Sequence, residues 1–398
     1  MSTLLQINVT ANWGSTGKIA EDIGKLAIEV GWESWIAYGR GEPTSKSNLI
    51  RIGNDWDMRL HGLQSRLLDN HGLASKKVTK EFIDRIKEIK PDIIHLHNIH
   101  GYYLNYPLLF DFLKEYGAPI VWTLHDCWPF TGHCAYYDFA KCDHWQIECH
   151  DCPQLRSYPA SLWRDRSKDN FYQKKESFLG VDNLTFVPVS DWLHNELSKS
   201  FLAQYPAVTI HNGIDLSVFT PSDTLVTDST KKVVLGVASV WDRRKGLDEF
   251  IKLRKLLPDN YTIILVGLSH DQIATLPQGI TGLRRTENVR QLVDLYSMAD
   301  VFVNPTLEDN FPTTNLEALA CGTPVITYDT GGSPEAIDGQ TGIVVPYQDV
   351  DVLAEKVRYL CESAPFAIGQ CRLRAEKNYD KQKVFKQYIN LYNNLVKK

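Results

Sequence analysis

This sequence has no excess of basic charge and no long apolar segment. Its 398 residues carry a formal net charge of −5 at pH 7, whereas nucleic-acid-binding domains carry clustered basic charge. No segment approaches the roughly 18 consecutive apolar residues of a membrane-spanning helix, and the first residues show no basic stretch followed by a long apolar one. We therefore expect no nucleic-acid partner and a cytoplasmic protein, for which peripheral contact with the inner face of a membrane stays open.

Two nucleotide-binding motifs are also missing from the first glycine-bearing turn, NVTANWGSTGKIA. Asn12 and Ile19 stand where a Walker A loop needs Gly and Ser or Thr. No Gly-x-Gly-x-x-Gly follows the first apolar segment, which disfavours a dehydrogenase. The turn still has Gly14 and Gly17, which let the backbone approach a ligand, and we expect a helix to open on Lys18. A helix N-terminus of this kind favours an anion.

What the sequence does have is two series of short apolar segments separated by helical patterns. Near-continuous apolar strands are typical of parallel sheets covered by helices on both faces. The chain is also longer than the roughly 250 to 300 residues over which a single core usually grows. The sequence therefore predicts an α/β protein with two doubly wound parallel sheets in tandem. The predicted strands begin near residues 4, 33, 92, 119 and 184 in the first series and near 232, 261, 300, 323 and 341 in the second.

A polar segment separates the two series, and an amphipathic segment ends the chain. Residues 222–232, SDTLVTDSTKK, lack either periodicity and predict a surface linker or loop. Near the end, Val384, Tyr388, Leu391 and Leu395 recur at intervals of three or four residues, which predicts a helix with one apolar face. We place the domains at residues 1–212, with a cysteine-rich insertion at 127–153, and at 213–377, followed by a helix at 378–398 that packs back on the first domain.

The most informative strand-to-helix segment is NPTLEDNFPTTNLEALACGTPVI. Ligands of open parallel sheets bind beyond the carboxyl ends of the strands, where this segment lies. It contains Glu317 and, eight residues earlier, Asp309 with Glu308 beside it. The segment resembles the donor-binding half of the GT-B glycosyltransferases, in particular the retaining family 4 (glycosyl transferases group 1) and its polysaccharide-biosynthesis members. That family has two Glu at this spacing, so either Asp309 or Glu308 supplies the first acid.

The resemblance implies the GT-B fold, in which two Rossmann-like domains face a cleft, and it implies roles for this segment. Glu317 would bind the ribose hydroxyls of a nucleotide sugar, and Asp309 or Glu308 would bind the transferred sugar. Sugar hydroxyls are donors, and ionised carboxylates accept from them strongly. Backbone amides at the helix start would hold the sugar and the diphosphate. These amides belong to Asn310, Phe311, Thr313 and Thr314, while Pro312 contributes none.

A basic segment, VWDRRKG, follows the first predicted strand of the second domain. Enzymes of this family place a Lys just before a Gly at this point, and Lys245 matches it. The usual position of an Arg, near Ala238 or Ser239, is not basic, so we expect Arg243 or Arg244 to substitute. Cations there stabilise charge that develops on the departing diphosphate as the glycosidic bond breaks.

In the first domain, the strongest candidate is His125. It closes a predicted strand and matches the position of a family histidine near the donor sugar. We expect it to orient a sugar hydroxyl by hydrogen bonding rather than to attack as a nucleophile. Of His95 and His97, which end the preceding strand, we expect at most one to face the same surface. The loop with Gly14 and Gly17 corresponds to the family's first glycine-rich loop, which approaches the donor diphosphate.

No pair of residues stands out as nucleophile and base. For retaining enzymes of this family, the resemblance implies a front-face displacement in which the leaving phosphate helps to deprotonate the acceptor. A glycosidase would instead need two carboxylates across the scissile bond. The sequence also has no Asp-x-Asp suited to a divalent ion on a nucleotide, so we expect no cofactor for catalysis.

A cluster of cysteines lies outside the generic GT-B pattern. Five of the eight cysteines fall within the insertion at 127–153, and in a reducing compartment such a cluster favours a metal over disulfides. We expect a structural zinc ion to order a loop with few apolar residues that shapes the acceptor pocket. Buried free thiols or a redox pair are the alternatives. The predicted ligands are Cys134, Cys142, Cys149 and Cys152, with His133, His144 and His150 as substitutes.

The predicted function is transfer of a sugar, with retention, from a UDP- or GDP-sugar to a saccharide or lipid-linked saccharide in surface polysaccharide biosynthesis. The aromatic and basic residues of the segment 56–80 face the acceptor, a membrane or solvent. A sugar-nucleotide epimerase or a glycosyl phosphorylase on the same fold is a second hypothesis. A non-catalytic scaffold that binds a nucleotide sugar is a third, because the usual Arg is missing.

Overall fold

The computed structural model of the chain describes residues 1–222, 230–367 and 369–397. Of the segment 222–232, which we predict as a linker or loop, residues 223–229 lie outside the described residues. Across the part of the chain that is described, every helix is too short or too polar to cross a membrane.

The chain divides into two compact units. Unit 1 comprises Met1–His211 together with the segment from Phe385 onward, and unit 2 comprises Asn212–Val384. The last helix, α13 (Lys381–Val396), therefore begins in unit 2 and continues in unit 1.

Unit 1 is built on a parallel sheet whose strands are apolar because helices cover both faces. In chain order its elements are β1 (Thr3–Asn8), α1 (Gly14–Glu29), β2 (Glu33–Tyr38), β3 (Asn48–Arg51), α2 (Asp55–Leu68), α3 (Lys76–Ile89), β4 (Ile93–Leu96), α4 (Tyr106–Tyr116), β5 (Ile120–Leu124), α5 (Ser167–Phe178), β6 (Leu184–Pro188) and α6 (Asp191–Ser198). The sheet order is β3-β2-β1-β4-β5-β6. The order therefore reverses between β1 and β4.

Unit 2 repeats this topology. Its elements are β7 (Lys232–Val237), α7 (Leu247–Leu256), β8 (Tyr261–Val266), α8 (His270–Ala274), β9 (Ile280–Leu283), α9 (Val289–Met298), β10 (Val301–Asn304), α10 (Thr313–Ala320), β11 (Val325–Tyr328), β12 (Gly342–Val345), α11 (Val350–Ser363) and α12 (Gln370–Asn378). The sheet order is β12-β11-β10-β7-β8-β9, so the reversal lies between β7 and β10. At such a reversal, the loops after the two strands separate to opposite faces and leave a crevice for a ligand.

The predicted fold class is confirmed, and each of the predicted strands forms. The sequence did not indicate β3 and β9, which lie at the edges of the two sheets. All four residues of β3 are exposed or half-buried, and in β9 only Ile280 is buried. An edge strand pairs on one side only and packs less deeply, so it lacks the continuous apolar pattern of the central strands.

Two helices differ from expectation in detail. Helix α1 begins at Gly14 and not at Lys18, because Trp13 has an extended backbone and acts as the N-cap. Lys18 therefore lies in the second turn. In α13, Leu391 and Leu395 are half-buried. The buried face of α13 is instead formed by Val384, Phe385, Tyr388, Ile389 and Tyr392.

Candidate active site

Two loops of unit 2 meet beyond the carboxyl ends of β7 and β10, where the strand order reverses. The loop after β7 ends in a 3₁₀ turn, Arg243–Lys245, and its N-cap Asp242 accepts a hydrogen bond from the Lys245 amide at 3.1 Å. Gly246 follows with a φ of +77°, and a Cβ there would lie 2.2 Å from the carbonyl oxygen of Pro305. The glycine therefore allows the two loops to approach directly.

Hydrogen bonds and an ion pair join these loops. The Leu307 amide donates to the Arg244 carbonyl at 2.7 Å, and the Arg244 guanidinium donates to the Glu308 carbonyl at 3.0 Å. The Lys245 ammonium forms an ion pair with the Asp309 carboxylate. Asp309 therefore contacts the lysine, and the neighbouring acid Glu308 is buried.

The surroundings of Asp309 keep its carboxyl group ionised. Burial raises the pKa of this carboxyl, but the charges of Lys245 and Arg244 outweigh burial, and the pKa lies below its usual value. On the other side, Gly331 has a φ of +54°, and a Cβ there would lie 1.8 Å from the Asp309 carbonyl oxygen. Only glycine fits this approach.

Helix α10 begins four residues after Asp309, at Thr313. Its N-cap is Pro312, and no side chain caps it among the residues that the structure describes. Thr313 and Thr314 are half-buried, while Phe311 and Asn310 are buried. Amides in the first turn of a helix lack intrahelical partners and carry partial positive charge, so this helix start suits an anionic or polar ligand.

Buried polar side chains that the sequence did not single out hold the first turn of α10. Asn315 Nδ2 donates to the carbonyl and to Oγ of Ser333, each at 3.2 Å. Its Oδ1 accepts from Asn304 Nδ2 at 2.8 Å. Thr327 Oγ1 lies 2.6 Å from Ser333 Oγ and extends the network to β11. Asn315 and Ser333 both lie within glycosyltransferase-like segments, but only the fold shows that they pair.

Glu317 lies one turn into α10 and is half-buried. Its Oε2 accepts a hydrogen bond from the Tyr296 hydroxyl at 2.8 Å. Burial, followed by the charge of Glu317, raises the pKa of Tyr296 well above its usual value, so the phenol remains a donor. The predicted unit 2 residues thus lie on two adjoining loops and in the first turns of α10. Arg243 lies on the loop after β7, but its side chain is exposed at the surface.

In unit 1, His125 follows β5 and ends a relay of uncharged side chains. His125 Nε2 lies 3.1 Å from His97 Nδ1, and His97 Nε2 lies 3.1 Å from Gln6 Oε1. Gln6 Nε2 donates to the Ala20 carbonyl at 2.7 Å, which fixes the orientation of the amide. Gln6 Oε1 therefore accepts from His97 Nε2, and His97 Nδ1 accepts from His125 Nε2. This network assigns the proton of His125 to Nε2 and its lone pair to Nδ1.

The histidines of the relay are neutral near pH 7. Burial lowers the pKa of His125 to about 4, and the nearby Asp126 carboxylate offsets only part of this effect. Burial also lowers the pKa of His97 well below its usual value. Neutral imidazoles both donate and accept hydrogen bonds, so these histidines can form a network without carrying charge.

The expectation that only one of His95 and His97 faces a given side is wrong, because residues two apart on a strand share a face. Their ring centroids lie 4.0 Å apart. The two differ in their partners instead. His95 Nδ1 lies 2.6 Å from the Tyr392 hydroxyl and its Nε2 lies 2.8 Å from Thr123 Oγ1, so His95 attaches the last helix to the sheet.

Next to His125 lies a buried group that the sequence did not indicate. His100 Nε2 lies 2.8 Å from Asp126 Oδ2, and its Nδ1 lies 2.8 Å from the Tyr158 hydroxyl. Burial raises the pKa of Asp126, but the charge and hydrogen bond of His100 outweigh burial and lower it. These residues come from separate loops, and no local spacing connects them.

Gly14 and Gly17, which lie in the first turn of α1, have different parts. A Cβ at Gly17 would lie 2.7 Å from Thr10 Oγ1, so this glycine lets α1 pack closely against the loop. A Cβ at Gly14 would meet nothing within 4 Å. Gly14 has a φ of +66°, so its conformation favours glycine although its surroundings are open.

The cysteine-rich loop between β5 and α5 has its own apolar core. Trp145 lies 5.0 Å from Phe130 and 4.8 Å from Tyr137 between ring centroids, and all three are buried. The expectation of few apolar residues is therefore wrong. The cysteines of this loop are free thiols, and Cys134 and Cys149 are buried whereas Cys142 and Cys152 are half-buried.

Two family models match the chain. The model described as Glycosyltransferase Family 4 matches residues 31–218. The model described as Glycosyl transferases group 1 matches residues 231–363. The second match contains the ion-paired loops and α10.

Curated relatives match over all or part of their length. The colanic acid biosynthesis glycosyl transferase WcaC of Escherichia coli strain K12 is 25% identical, over 98% of this chain and 100% of that protein. The capsular polysaccharide biosynthesis glycosyltransferase CapM of Staphylococcus aureus is 25% identical, over 53% of this chain and 62% of that protein. An N,N'-diacetylbacillosaminyl-diphospho-undecaprenol alpha-1,3-N-acetylgalactosaminyltransferase of Campylobacter jejuni is 29% identical, over 42% of this chain and 46% of that protein.

Solved structures share the fold over nearly the whole chain. A sucrose-phosphate synthase from Thermosynechococcus elongatus superposes with a TM-score of 0.74 at 19% identity and covers 99% of both chains. Anabaena HepE in complex with UDP-glucose superposes with a TM-score of 0.67 at 15% identity, over 99% of this chain and 100% of that one.

Proposed function

Because the chain belongs to the family 4 glycosyltransferases (glycosyl transferases group 1), we propose that it transfers a sugar from a UDP- or GDP-sugar to a saccharide or lipid-linked saccharide. The reaction proceeds with retention and serves surface polysaccharide biosynthesis. The observation that carries the proposal is the Lys245–Asp309 ion pair at the strand reversal of unit 2. A nucleotide sugar needs both a cation for its diphosphate and acceptors for its hydroxyls, and these loops supply both.

Lys245 is proposed to stabilise the departing diphosphate. Negative charge on this group grows as the glycosidic bond breaks, so a fixed cation lowers the barrier more than it tightens substrate binding. The Asp309 carboxylate orients the ammonium, and Arg244, fixed on the Glu308 carbonyl, adds a second cation. Arg244 thereby takes the part of the arginine that family members carry earlier in this loop.

Glu317 and the start of α10 are proposed to hold the rest of the donor. Glu317 accepts from the ribose hydroxyls, and Asp309 or Glu308 accepts from the transferred sugar. The first-turn amides and the hydroxyls of Thr313 and Thr314 contact the sugar and the phosphates. The complexes of Anabaena HepE with UDP and UDP-glucose favour UDP as the nucleotide.

A front-face displacement suits these groups better than a double displacement. Asp309 is ionised and already paired with Lys245, so it is a poor proton donor and a shielded nucleophile. The leaving phosphate is instead proposed to accept the proton of the attacking hydroxyl. His125 of unit 1 is proposed to orient a sugar hydroxyl by hydrogen bonding.

The names of the relatives favour a saccharide acceptor. WcaC and CapM are named for colanic acid and capsular polysaccharide biosynthesis, and the Campylobacter jejuni enzyme is named for a diphospho-undecaprenol substrate. An acceptor of the last kind lies in a membrane. We therefore propose that the protein acts at an anionic membrane surface.

Helix α2 offers a surface for this contact because its buried residues are polar and several of its apolar residues are exposed. Its buried residues are His61 and Ser65, whereas Trp56 is 70% exposed, Leu60 63% and Leu63 55%. These three residues lie at intervals of four and three, on one face of the helix. Exposed Trp and Leu on one helical face are typical of helices that lie in a membrane interface.

The charges beside this face favour anionic lipids. Asp55 is paired with Arg51, and Asp57 accepts from the Asn54 amide at 2.9 Å, so both acids have partners. Arg59 lies over Trp56 at 5.2 Å from the ring centroid. The Leu162 amide donates to the carbonyl of the exposed Arg66 at 2.9 Å, which brings the exposed Trp163 to the end of the same helix.

Vesicle sedimentation tests the membrane contact. Wild-type protein should bind vesicles of phosphatidylcholine with phosphatidylglycerol more strongly than vesicles of phosphatidylcholine alone, and Trp56→Ser with Leu60→Ser should abolish the binding. The matched control is Leu373→Ser with Val240→Ser, because these two apolar side chains are also exposed but lie in unit 2. Equal binding by the two double variants would contradict the contact.

The reaction itself is tested by following donor consumption and product anomeric configuration. UDP-, GDP- and CMP-sugars are screened by thermal shift, and the stabilising donor is then incubated with lipid-linked and free saccharides. Transfer with retained configuration supports the proposal, and inverted configuration would overturn the displacement. Conversion of the donor without any acceptor would favour an epimerase, phosphate-dependent cleavage a phosphorylase, and tight binding without turnover across acceptors a scaffold.

A further inference from the structure

Four cysteines and three histidines of the loop between β5 and α5 line one small cavity in unit 1. We propose that this cavity binds a zinc ion, for which cysteine thiolates and histidine nitrogens are the preferred ligands. The proposal concerns unit 1 alone and does not depend on the donor proposed for unit 2. The proposed ligands are the sulfurs of Cys134, Cys149 and Cys152 and Nε2 of His133, with Asp69 as the residue that orients the histidine.

His133 is the residue that points to a metal rather than to buried thiols alone. Its Nδ1 lies 2.6 Å from Asp69 Oδ1, and both residues are buried. A carboxylate accepts, so in the neutral ring Nδ1 carries the proton and Nε2 carries the lone pair. Nε2 is buried without a hydrogen-bond partner among the described residues, and the residue lines the cavity. Metal-binding histidines are commonly held by a carboxylate on the other ring nitrogen in this manner.

Asp69 is fixed by several groups and cannot turn away from His133. It is the C-cap of α2. Its Oδ2 accepts from the Arg166 amide at 2.7 Å, and its carbonyl accepts from Asn170 Nδ2 at 2.7 Å. Both donors lie at the start of α5, where the cysteine-rich loop ends. The histidine orientation is therefore set by the end of α2 and the start of α5.

Each of the three proposed thiols has a polar contact, and two of the three are buried. Cys134 is 5% exposed and Cys149 8%. The thiols of Cys134 and Cys152 hydrogen-bond to each other, and the Gly132 amide donates to Cys149 Sγ at 3.1 Å. Cys149 and Cys152 also have the Cys-x-x-Cys spacing of structural zinc sites.

The sequence predicted Cys142 as the fourth ligand, and the structure favours His133. Cys142 is half-buried between the exposed Lys141 and Asp143, whereas His133 is buried and oriented by a carboxylate. Among the described residues of this loop, no three ligand atoms lie within 4.8 Å of one another. Binding would therefore draw the side chains inward around the ion.

Zinc in this cavity would stabilise a segment that immediately follows His125. Between β5 and α5 the described residues form only two 3₁₀ turns, at Trp128–Phe130 and His144–Gln146. A long segment with so little regular structure gains stability when a metal joins residues that are distant along it. The ion thus stabilises the fold of the loop and takes no part in the transfer.

The test uses the full-length chain, purified without chelator. Mass spectrometry of the metals is expected to find one zinc ion per chain. Zinc is then exchanged for Co²⁺, whose charge-transfer absorption grows with the number of bound thiolates, and three thiolates are expected. His133→Cys should raise the thiolate number to four, and His133→Ala should lose zinc. Cys142→Ser is the matched control and should keep both the zinc and the spectrum.

Asp69→Asn tests the positioning role separately. It should weaken zinc binding by about 10- to 100-fold while the thiolate number stays at three. A wild-type spectrum of four thiolates, one of which is lost in Cys142→Ser, would overturn the ligand set. Protein that lacks zinc and titrates as eight free thiols, or that contains a Cys134–Cys152 disulfide, would overturn the site. His133→Cys keeps the ligand set testable even where His133→Ala does not fold.

Discussion

The two units share one strand order, yet they carry different chemistry where that order reverses. In unit 2 the reversal lies between β7 and β10, and its loops form the Lys245–Asp309 ion pair. In unit 1 it lies between β1 and β4, and the residues there form the uncharged relay from Gln6 through His97 to His125. One topology thus carries an ion pair in unit 2 and neutral polar side chains in unit 1, and the side chains decide which.

The histidines are divided as unevenly as the charges. Eleven of the 12 histidines lie in unit 1, and His270 alone lies in unit 2. Burial lowers the pKa of five of those in unit 1, so this unit contains many imidazoles that are neutral when folded. They are His61, His71, His95, His97 and His125. Unit 1 is therefore expected to be the acid-sensitive half of the molecule.

The largest expected effect is on catalysis by the charged site. Lys245→Ala should lower kcat by about 10²- to 10³-fold, because it removes the cation that we propose to stabilise charge developing in the transition state. Steady-state kinetics with the donor found by thermal shift measure this. Lys255→Ala is the matched control, since that lysine is exposed on α7. Equal kcat values for the two variants would show that the ion pair is structural.

Acid should separate the two units. The pKa of His125 falls from 6.5 to about 4 on folding, so between these values the unfolded chain binds more protons. The free energy of unfolding of unit 1 should therefore fall as the pH falls through this window.

Unit 2 should keep its stability over the same window. The lowered pKa of Asp309 contributes stability above the usual value of 3.8, and this contribution is lost only below it. Hydrogen exchange followed by mass spectrometry from pH 7 to pH 4, corrected for intrinsic exchange rates, resolves the two units. Loss of protection in unit 2 before unit 1 would contradict the assignment of neutral histidines to the core of unit 1.

Glycine substitutions test how tightly the backbone is packed at one position in each unit. Gly331→Ala should destabilise unit 2 by about 3 kcal/mol, because the new Cβ would overlap the Asp309 carbonyl. Gly14→Ala in unit 1 should cost about 1 kcal/mol, since only the left-handed backbone opposes it. Urea denaturation of each variant gives these values. Similar losses in the free energy of unfolding for both variants would mean that the backbone around Asp309 relaxes more readily than its contacts indicate.

The smallest expected effects compare a charged and a neutral hydrogen bond. The Tyr328 hydroxyl donates to the Glu249 carboxylate at 2.7 Å in unit 2, and the Tyr392 hydroxyl lies 2.6 Å from His95 in unit 1. Tyr328→Phe should cost about 2 kcal/mol and Tyr392→Phe about 1 kcal/mol, because hydrogen bonds to ionised groups are stronger. Urea denaturation again measures both, and the reverse order would contradict this.

The sequence predicted the central strands of both sheets, because they are buried on both faces and read as continuous apolar segments. It did not indicate β3 and β9, whose edge positions relax that pattern. The predicted start of α1 at Lys18 was wrong, because Gly14, which is typical of a turn, is the first residue of the helix. Local patterns thus fail where position in the sheet or the backbone conformation decides the outcome.

The candidate site divides in the same way. Lys245, Asp309 and Glu317 could be picked out because their spacing within one or two segments resembles a family pattern. Gln6 could not, because it reads as one polar residue in a strand and acquires its part only when β4 pairs beside β1. The Asp69–His133 contact likewise joins residues 64 apart in the chain.

The most direct test of the central claim is a hydrogen-exchange footprint of the donor. The full chain is compared with and without the UDP- or GDP-sugar that gives the largest thermal shift. If unit 2 holds the diphosphate at its strand reversal, exchange should slow at residues 243–246 and at the start of α10. Unchanged exchange at both segments, with saturating donor, would contradict the assignment of the donor site.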